Sequence, residues 1–213
     1  DEAADFRVKK YQLDFSVGLN LTGSAKVYVD RSELKSYRFT LYHGYKVKQV
    51  TDQTGAALDF RREHDYVTVT RGGAAVEYLC LEYTGKSPKY YSSYAGVCLP
   101  ANFAYYPIPG YRELFSDNFY GFIDCSLPYD TAFDVRCSGR KQMYCNLAAR
   151  GDNHFAGNAH SITLLSGYYD TLKLNDTLVV YPKYADGEIR ARIKKNMGTF
   201  TKEHRDIRTI FIM

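Results

Sequence analysis

The strict alternation between residues 11 and 21 constrains this chain most. Tyr11, Leu13, Phe15, Val17, Leu19 and Leu21 alternate with Gln12, Asp14, Ser16, Gly18 and Asn20. Apolar residues at a period of two collect on one face of an extended segment, so this is a long, half-buried β-strand. Thr22-Gly23-Ser24 reads as a turn. Ala25, Val27 and Val29 then resume the alternation, which predicts a hairpin.

The same pattern recurs down the chain. Tyr37, Phe39 and Leu41 form a third run, and Val47 and Val50 precede the turn Asp52-Gln53-Thr54-Gly55. Leu58 and Phe60 lead into a charged turn at Arg61 to Asp65, and Val67 and Val69 follow it. Val76 to Tyr83 is apolar on nearly both faces, which predicts a central strand covered on two sides. Residues 89–112 read as a loop rich in Tyr, Ser and Gly, with Pro100, Pro107 and Pro109. Strand signals return at Tyr120–Ile123, Phe133–Cys137, Met143–Cys145, Ser161–Leu165 and Leu178–Tyr181. About ten or more short strands separated by turns predict an all-β fold, an antiparallel β-sandwich over residues 1–184. The composition agrees, with 21 Tyr and 12 Phe but no Trp. Aromatic bodies with a polar tip suit sheets wetted on one side.

The pattern changes after Tyr184. Asp186 is placed to cap a helix with Glu188 in its first turn. Ile189, Ile193, Met197 and Phe200 then fall on one helical face, away from Arg190, Arg192, Lys194 and Lys195. This predicts a core-facing stripe on a surface helix; a basic helix lying on a membrane is the other reading. Arg208–Met213 reads as a strand with nothing after it to pair with. Residues 185–213 therefore read as a short helix and strand that open a further domain, in a piece cut from a longer chain.

A net charge of +4 is thinner than the basic face of a nucleic-acid domain, so no nucleic-acid partner is expected. No run approaches the ~18–20 apolar residues that span a membrane. The chain lacks HExxH, GxSxG, the phosphate loops GxxxxGK[ST] and GxGxxG, and CxxC pairs. No catalytic residue, metal ligand or cofactor is expected in it. His154 and His160, near Asn153 and Asn158, read as turn histidines. The five cysteines are an odd number. Cys137 and Cys145 flank a turn-like stretch and are placed to face each other across a hairpin as a disulfide; buried free thiols are the other reading. Tyr90, Tyr91 and Tyr94, with Phe103, Tyr105 and Tyr106, support two readings as well. They are an aromatic platform for sugar or peptide, or a loop that caps the sandwich with its rings in the core. Asn20-Leu21-Thr22 and Asn175-Asp176-Thr177 match the N-glycosylation pattern.

The order of these features resembles the opening domain of the gluzincin aminopeptidases, of the aminopeptidase N and leukotriene hydrolase type. Tyr11-x-Leu13-x-Phe15 followed by Gly23-x-Ala25-x-Val27 is similar to their first strands. Leu79-Cys80-Leu81-Glu82-Tyr83-Thr84-Gly85 looks like their L-x-I-x-Y-x-G strand end. Tyr105-Tyr106-Pro107 looks like the aromatic-Pro after their long loop, and Phe133-Asp134-Val135 like a later strand. The resemblance implies a saddle-like N-terminal β domain over 1–184. It implies that the zinc helix and the substrate motif lie in a catalytic-type domain downstream, so zinc is expected only there. The chain departs from the pattern too. It has no Gln between Tyr90 and Pro107, and Ile108-Pro109-Gly110 follows the aromatic pair. These departures look like the divergent relatives found on the extracytoplasmic face of membrane proteins, including fusions to transporter permeases.

The resemblance thus implies a non-catalytic domain of a zinc aminopeptidase-like parent, which packs on the catalytic domain and walls its substrate cleft. Its partners would be that domain and a peptide substrate. The loop carrying Tyr90, Tyr91, Tyr94, Asn102, Phe103, Tyr105 and Tyr106 is the candidate cleft-facing surface. An extracellular or extracytoplasmic location follows from the divergent relatives, with a cytoplasmic one as the alternative. The competing function is a stand-alone extracellular module that binds carbohydrate or protein through the same rings.

Overall fold

The computed structural model describes residues 3–18, 20–91, 96–113, 125–139 and 141–212, with Tyr90 described through its backbone. Leu19, Tyr94 and the strand expected at Tyr120–Ile123 lie outside the described residues. The first seven strands are β1 (Val8–Val17), β2 (Leu21–Val29), β3 (Ser36–Thr40), β4 (Tyr45–Thr51), β5 (Phe60–Glu63), β6 (Tyr66–Thr70) and β7 (Tyr78–Gly85). A 3-10 turn at Lys89–Tyr91 precedes β8 (Gly96–Leu99), β9 (Ile108–Pro109), β10 (Thr131–Ser138), β11 (Gln142–Cys145), β12 (Ala148–Gly151), β13 (His154–Ala159) and β14 (Leu164–Gly167). The order ends with β15 (Tyr169–Leu174), β16 (Thr177–Pro182), helix α1 (Gly187–Glu203) and β17 (Thr209–Phe211).

The all-β sandwich expected from the alternation is the observed fold. A seven-stranded sheet, β12-β13-β10-β1-β2-β7-β4, forms the main layer. Its inner face, carrying Tyr11, Leu13, Phe15, Ala25, Val27, Leu79 and Leu81, packs on the four-stranded sheet β5-β6-β3-β9 and on the three-stranded sheet β11-β14-β8. A second three-stranded sheet, β15-β16-β17, closes the far end. The β11-β14-β8 sheet is a middle layer. Leu99, Met143, Cys145 and Leu164 face the main core, while Cys98, Tyr144 and Leu165 meet Tyr169 and Val180 on the other side. That two-sided burial explains why its strands read as continuous apolar runs rather than alternations. Pairing is antiparallel except for β1 with β10 and β16 with β17, which are parallel.

Several local expectations are corrected. The first hairpin closes at the Val17–Leu21 pair, beyond which the Gly18 amide donates to the Asn20 carbonyl at 3.0 Å, and Thr22-Gly23-Ser24 lies inside β2. Gly23 is small for packing, not for turning: a Cβ there would fall 2.5 Å from the ring of Tyr83. The strand at β7 buries only alternate residues, so it is covered on one side, and the polar Glu82 is half-exposed on the other. The hairpin expected between Cys137 and Cys145 does not form. Cys137 lies near the end of β10, which runs between β1 and β13, whereas Cys145 ends β11, which pairs with β14 in another sheet. All five cysteines are free thiols.

At the C-terminal end, Asp186 caps α1 as expected, its Oδ1 accepting from the Ile189 amide at 2.9 Å. The stripe is not core-facing along its length. Thr201 is the one buried residue of α1; Ile193, Met197 and Phe200 are half-buried and Ile189 is 46% exposed. The last strand does have a partner, because the chain doubles back through α1 and lays β17 parallel to β16. No helix among the described residues is long and apolar enough to cross a membrane.

Candidate functional site

The segment 100–112 is the candidate site that the aromatic residues pointed to. It threads between the sheets instead of bulging outward. Tyr83 donates its hydroxyl to the Tyr105 carbonyl at 2.9 Å, Tyr105 donates to the Ile162 carbonyl at 2.9 Å, and Tyr11 donates to the Pro107 carbonyl at 2.8 Å. Thr40 donates to the Gly110 carbonyl at 2.8 Å and accepts from the Arg112 amide at 2.7 Å. Each phenol puts its ring in the core and uses its polar tip to satisfy a buried carbonyl. Burial pushes the phenols of Tyr11, Tyr83 and Tyr105 well above the usual tyrosine range, so they remain neutral donors.

Phe103, Tyr105 and Tyr106 are therefore core residues and do not offer a platform to a ligand. Tyr106 sits edge-on to Tyr11 and Tyr105, and Tyr11 stacks flat on Phe133 of the neighbouring strand at 5.0 Å. Tyr91 is half-buried, with its ring 4.6 Å from that of Phe103, and Asn102 is exposed. The side chains of Tyr90 and Tyr94 lie outside the described residues. The same end of the sandwich carries two side chains that the sequence reading missed. Tyr42 lies 5.1 Å from the Phe103 ring and 4.5 Å from His43, whose Nδ1 is 2.9 Å from Asp65 Oδ1. The break in alternation after Leu41 was the available signal. Among the described residues, Tyr91 and Asn102 reach the surface at this end, flanked by Tyr42 and His43.

On the opposite, polar face of the seven-stranded sheet lies a hollow of about 450 Å³. Ser16 and Ser24 help floor it, and Asp14, Glu82, Lys48 and Arg136 rim it. No histidine is among its lining residues. Cys137 borders it from within. His154 Nε2 lies 3.1 Å from Asp134 Oδ1 and His160 Nδ1 lies 2.8 Å from the Leu127 carbonyl oxygen. Among the described residues no three His, Cys, Asp or Glu side chains come together in a way that would hold a metal ion. The donor set of a zinc centre is not among them.

The buried thiols give a testable electrostatic consequence. Burial pushes Cys98 up to about 11 and Cys145 up to about 12; burial and then the neighbouring Cys145 push Cys137 to about 12. Unfolded thiols ionise near ~8.5. Above that pH the native state holds protons that the unfolded chain has released, so stability is full below it and falls as pH rises towards the native values. The urea midpoint is expected to hold from pH 7 to 8 and to drop steadily from pH 9 to 11. A flat midpoint to pH 11 would contradict this burial.

No family profile and no curated protein matches this sequence. Solved structures do match. Native leukotriene A4 hydrolase from Saccharomyces cerevisiae superposes with a TM-score of 0.67 at 11% identity, over 98% of this chain and 38% of that one. The yeast enzyme in complex with bestatin gives 0.68 at 12% identity, over 98% and 37%. The E323A mutant of an M1 zinc metallopeptidase from Deinococcus radiodurans gives 0.58 at 15% identity, over 87% and 50%. The chain thus has the fold of the N-terminal domain of these enzymes and spans at most half the length of each of them.

Proposed function

We propose that the chain is the non-catalytic N-terminal domain of a zinc aminopeptidase-like protein, packing on a catalytic-type domain that follows it and walling one side of that domain's substrate cleft. The observation that carries this reading is the extent of the structural match: nearly the whole chain aligns, to little more than a third of the yeast hydrolase. A fold shared at this identity says nothing of chemistry by itself, so the function is read from what the chain holds. Its described residues supply a rigid aromatic-pinned core and a polar outer sheet, with no metal donor set. Zinc would sit in the downstream domain.

The cleft-facing part of the wall is the end that presents Tyr91 and Asn102. Asn102 is exposed, whereas the half-buried Tyr91 ring packs on Phe103 at the edge of the core, so the melting temperature is read beside the affinity. In the full-length protein, Tyr91→Ala with Asn102→Ala is expected to weaken binding of a short peptide by roughly 3- to 10-fold, which is about 1 kcal/mol. Calorimetric titration reads this whether or not the parent turns the peptide over. An unchanged affinity, with an unchanged melting temperature, would remove this end from the cleft.

A further inference from the structure

The hollow on the outer face of the seven-stranded sheet is built by strand register. Pairing sets Arg136, Asp14, Ser24 and Glu82 side by side on β10, β1, β2 and β7, and Ser16 beside Thr22 in the neighbouring row. Short Ser16, Thr22 and Ser24 thus stand mid-sheet between the long side chains of Arg136 and Glu82, and the face sinks there. A bulge between Val47 and Gln49 interrupts the β4 ladder at Lys48, and this side chain lines the same hollow. A second hollow of about 210 Å³ adjoins the first. Asp14 and Arg136 line both, and Gln12, Lys26 and Asp134 continue the lining. Beyond Gln12, Tyr28 donates its hydroxyl to the Gln12 side-chain oxygen at 2.9 Å, and its ring lies 4.9 Å from that of Tyr78. Along β1 from Ser16 to Lys10, opposite Tyr28, this trough is ~20 Å long at the usual strand rise.

The trough carries no net charge. Asp14, Glu82 and Asp134 are matched by Lys26, Lys48 and Arg136. These groups cancel one another only in part. Arg136 Nε lies 3.7 Å from Asp134 Oδ1, while Asp14, Glu82 and Lys48 have no hydrogen-bond or ion-pair partner among the described residues. Ser24 stands between the two free carboxylates and holds Asp14 and Glu82 two strand spacings apart, ~10 Å. Strong acceptors and strong donors therefore share one hollow with their capacity open to a ligand. At its far end Tyr28 and Tyr78 are half-buried, with the Lys10 and Lys26 ammonium groups 5.7 and 5.5 Å from their ring centres.

We infer that this trough binds a neutral oligosaccharide, laid along β1 and β2 with one end against Tyr28 and Tyr78. The inference goes beyond the wall function and does not need it, because every lining group belongs to the main sheet of this chain. A sugar hydroxyl both donates and accepts, so it can bond a carboxylate and an ammonium or guanidinium at once. The amphipathic tyrosines suit a sugar ring, which is apolar on its faces and polar at its edge. A polyanion would meet three carboxylates here, and a polycation three basic groups, so the balance of charge selects against both. A peptide in extended form adds to a strand edge, whereas the strands under the trough already pair with neighbours on both sides.

Calorimetric titration of residues 1–213 with cellohexaose, xylohexaose and maltohexaose tests this, with hexagalacturonate and the glucosamine hexamer as anionic and cationic counterparts. At least one neutral hexamer is expected to bind ~10-fold more tightly than either charged one. Its affinity should change by less than about 2-fold between low and physiological salt, because binding neutralises no net charge. Asp14→Ala with Glu82→Ala is expected to weaken that binding by ~10-fold or more. Both side chains lie outside the core clusters, so the melting temperature should hold. Ser24→Ile fills the floor with a good strand former and should weaken binding by a similar factor. Three outcomes would each overturn the inference: no binding of any neutral hexamer, a preference for a charged one, or neutral binding that survives both variants.

Discussion

Gly85→Ala is expected to cost at least ~3 kcal/mol, one of the largest losses available from adding a single methyl group. Gly85 closes β7, opposite Leu21 of β2 on one side and Tyr45 of β4 on the other. A Cβ built there would lie 1.8 Å from the Gly44 carbonyl oxygen and 2.9 Å from the Tyr45 Cα. These are backbone atoms, so no side-chain rotation relieves the clash. The β4 strand must separate from β7 at this end, and Tyr45, whose hydroxyl bonds Ser87 Oγ at 2.6 Å, must move with it. Urea denaturation reads the loss directly. A midpoint within experimental error of the wild type would show that the two backbones do not approach as described.

Tyr105→Ala is expected to lose ~4–5 kcal/mol, at the upper end for a buried aromatic because a cavity and an orphaned carbonyl are created together. The ring is fully buried, sits 5.6 Å from Phe15 and 5.1 Å from Tyr106, and carries the hydroxyl that serves Ile162. Tyr105→Phe keeps the ring and orphans only the carbonyl, so about 1–3 kcal/mol is expected. This graded pair separates a core role from a ligand-binding one. A surface platform residue would lose binding on truncation with little change in unfolding free energy. The opposite is expected here.

Much of the fold was legible in residues 8–83, because a sheet wetted on one face writes its burial into the sequence with period two. Tyr11 to Val17 and Ala25 to Val29 alternate cleanly for that reason. Legibility failed where burial was two-sided or came from far away. Val97 to Leu99 belong to the middle layer, show no alternation, and fall in the stretch read as a loop. Ile108–Pro109 is a strand only because β3 offers it partners, with Phe39 opposite Pro109 and Thr40 opposite Ile108. Gly23 looked like a turn because a glycine that makes room for a ring across the sheet cannot be told from one that bends the chain. The site was less legible than the fold. Phe103, Tyr105 and Tyr106 read as platform or as core, and the choice is made by distant contacts that local sequence does not reveal, such as the Ile162 carbonyl that takes the Tyr105 hydroxyl. The distance between Cys137 and Cys145 in the chain suggested a hairpin, whereas topology sends their strands to different sheets. The helix cap at Asp186 was correct because capping is local. The stripe that follows was misassigned to the core: Ile193, Met197 and Phe200 are half-buried and Ile189 is exposed.

The most direct test of a companion domain without its own reaction centre is metal content together with turnover. Purified residues 1–213 should bind no stoichiometric zinc on dialysis against the metal and should release no aniline from aminoacyl-anilides. Zinc bound one to one, with turnover that a chelator abolishes, would place the chemistry inside this polypeptide and contradict the assignment.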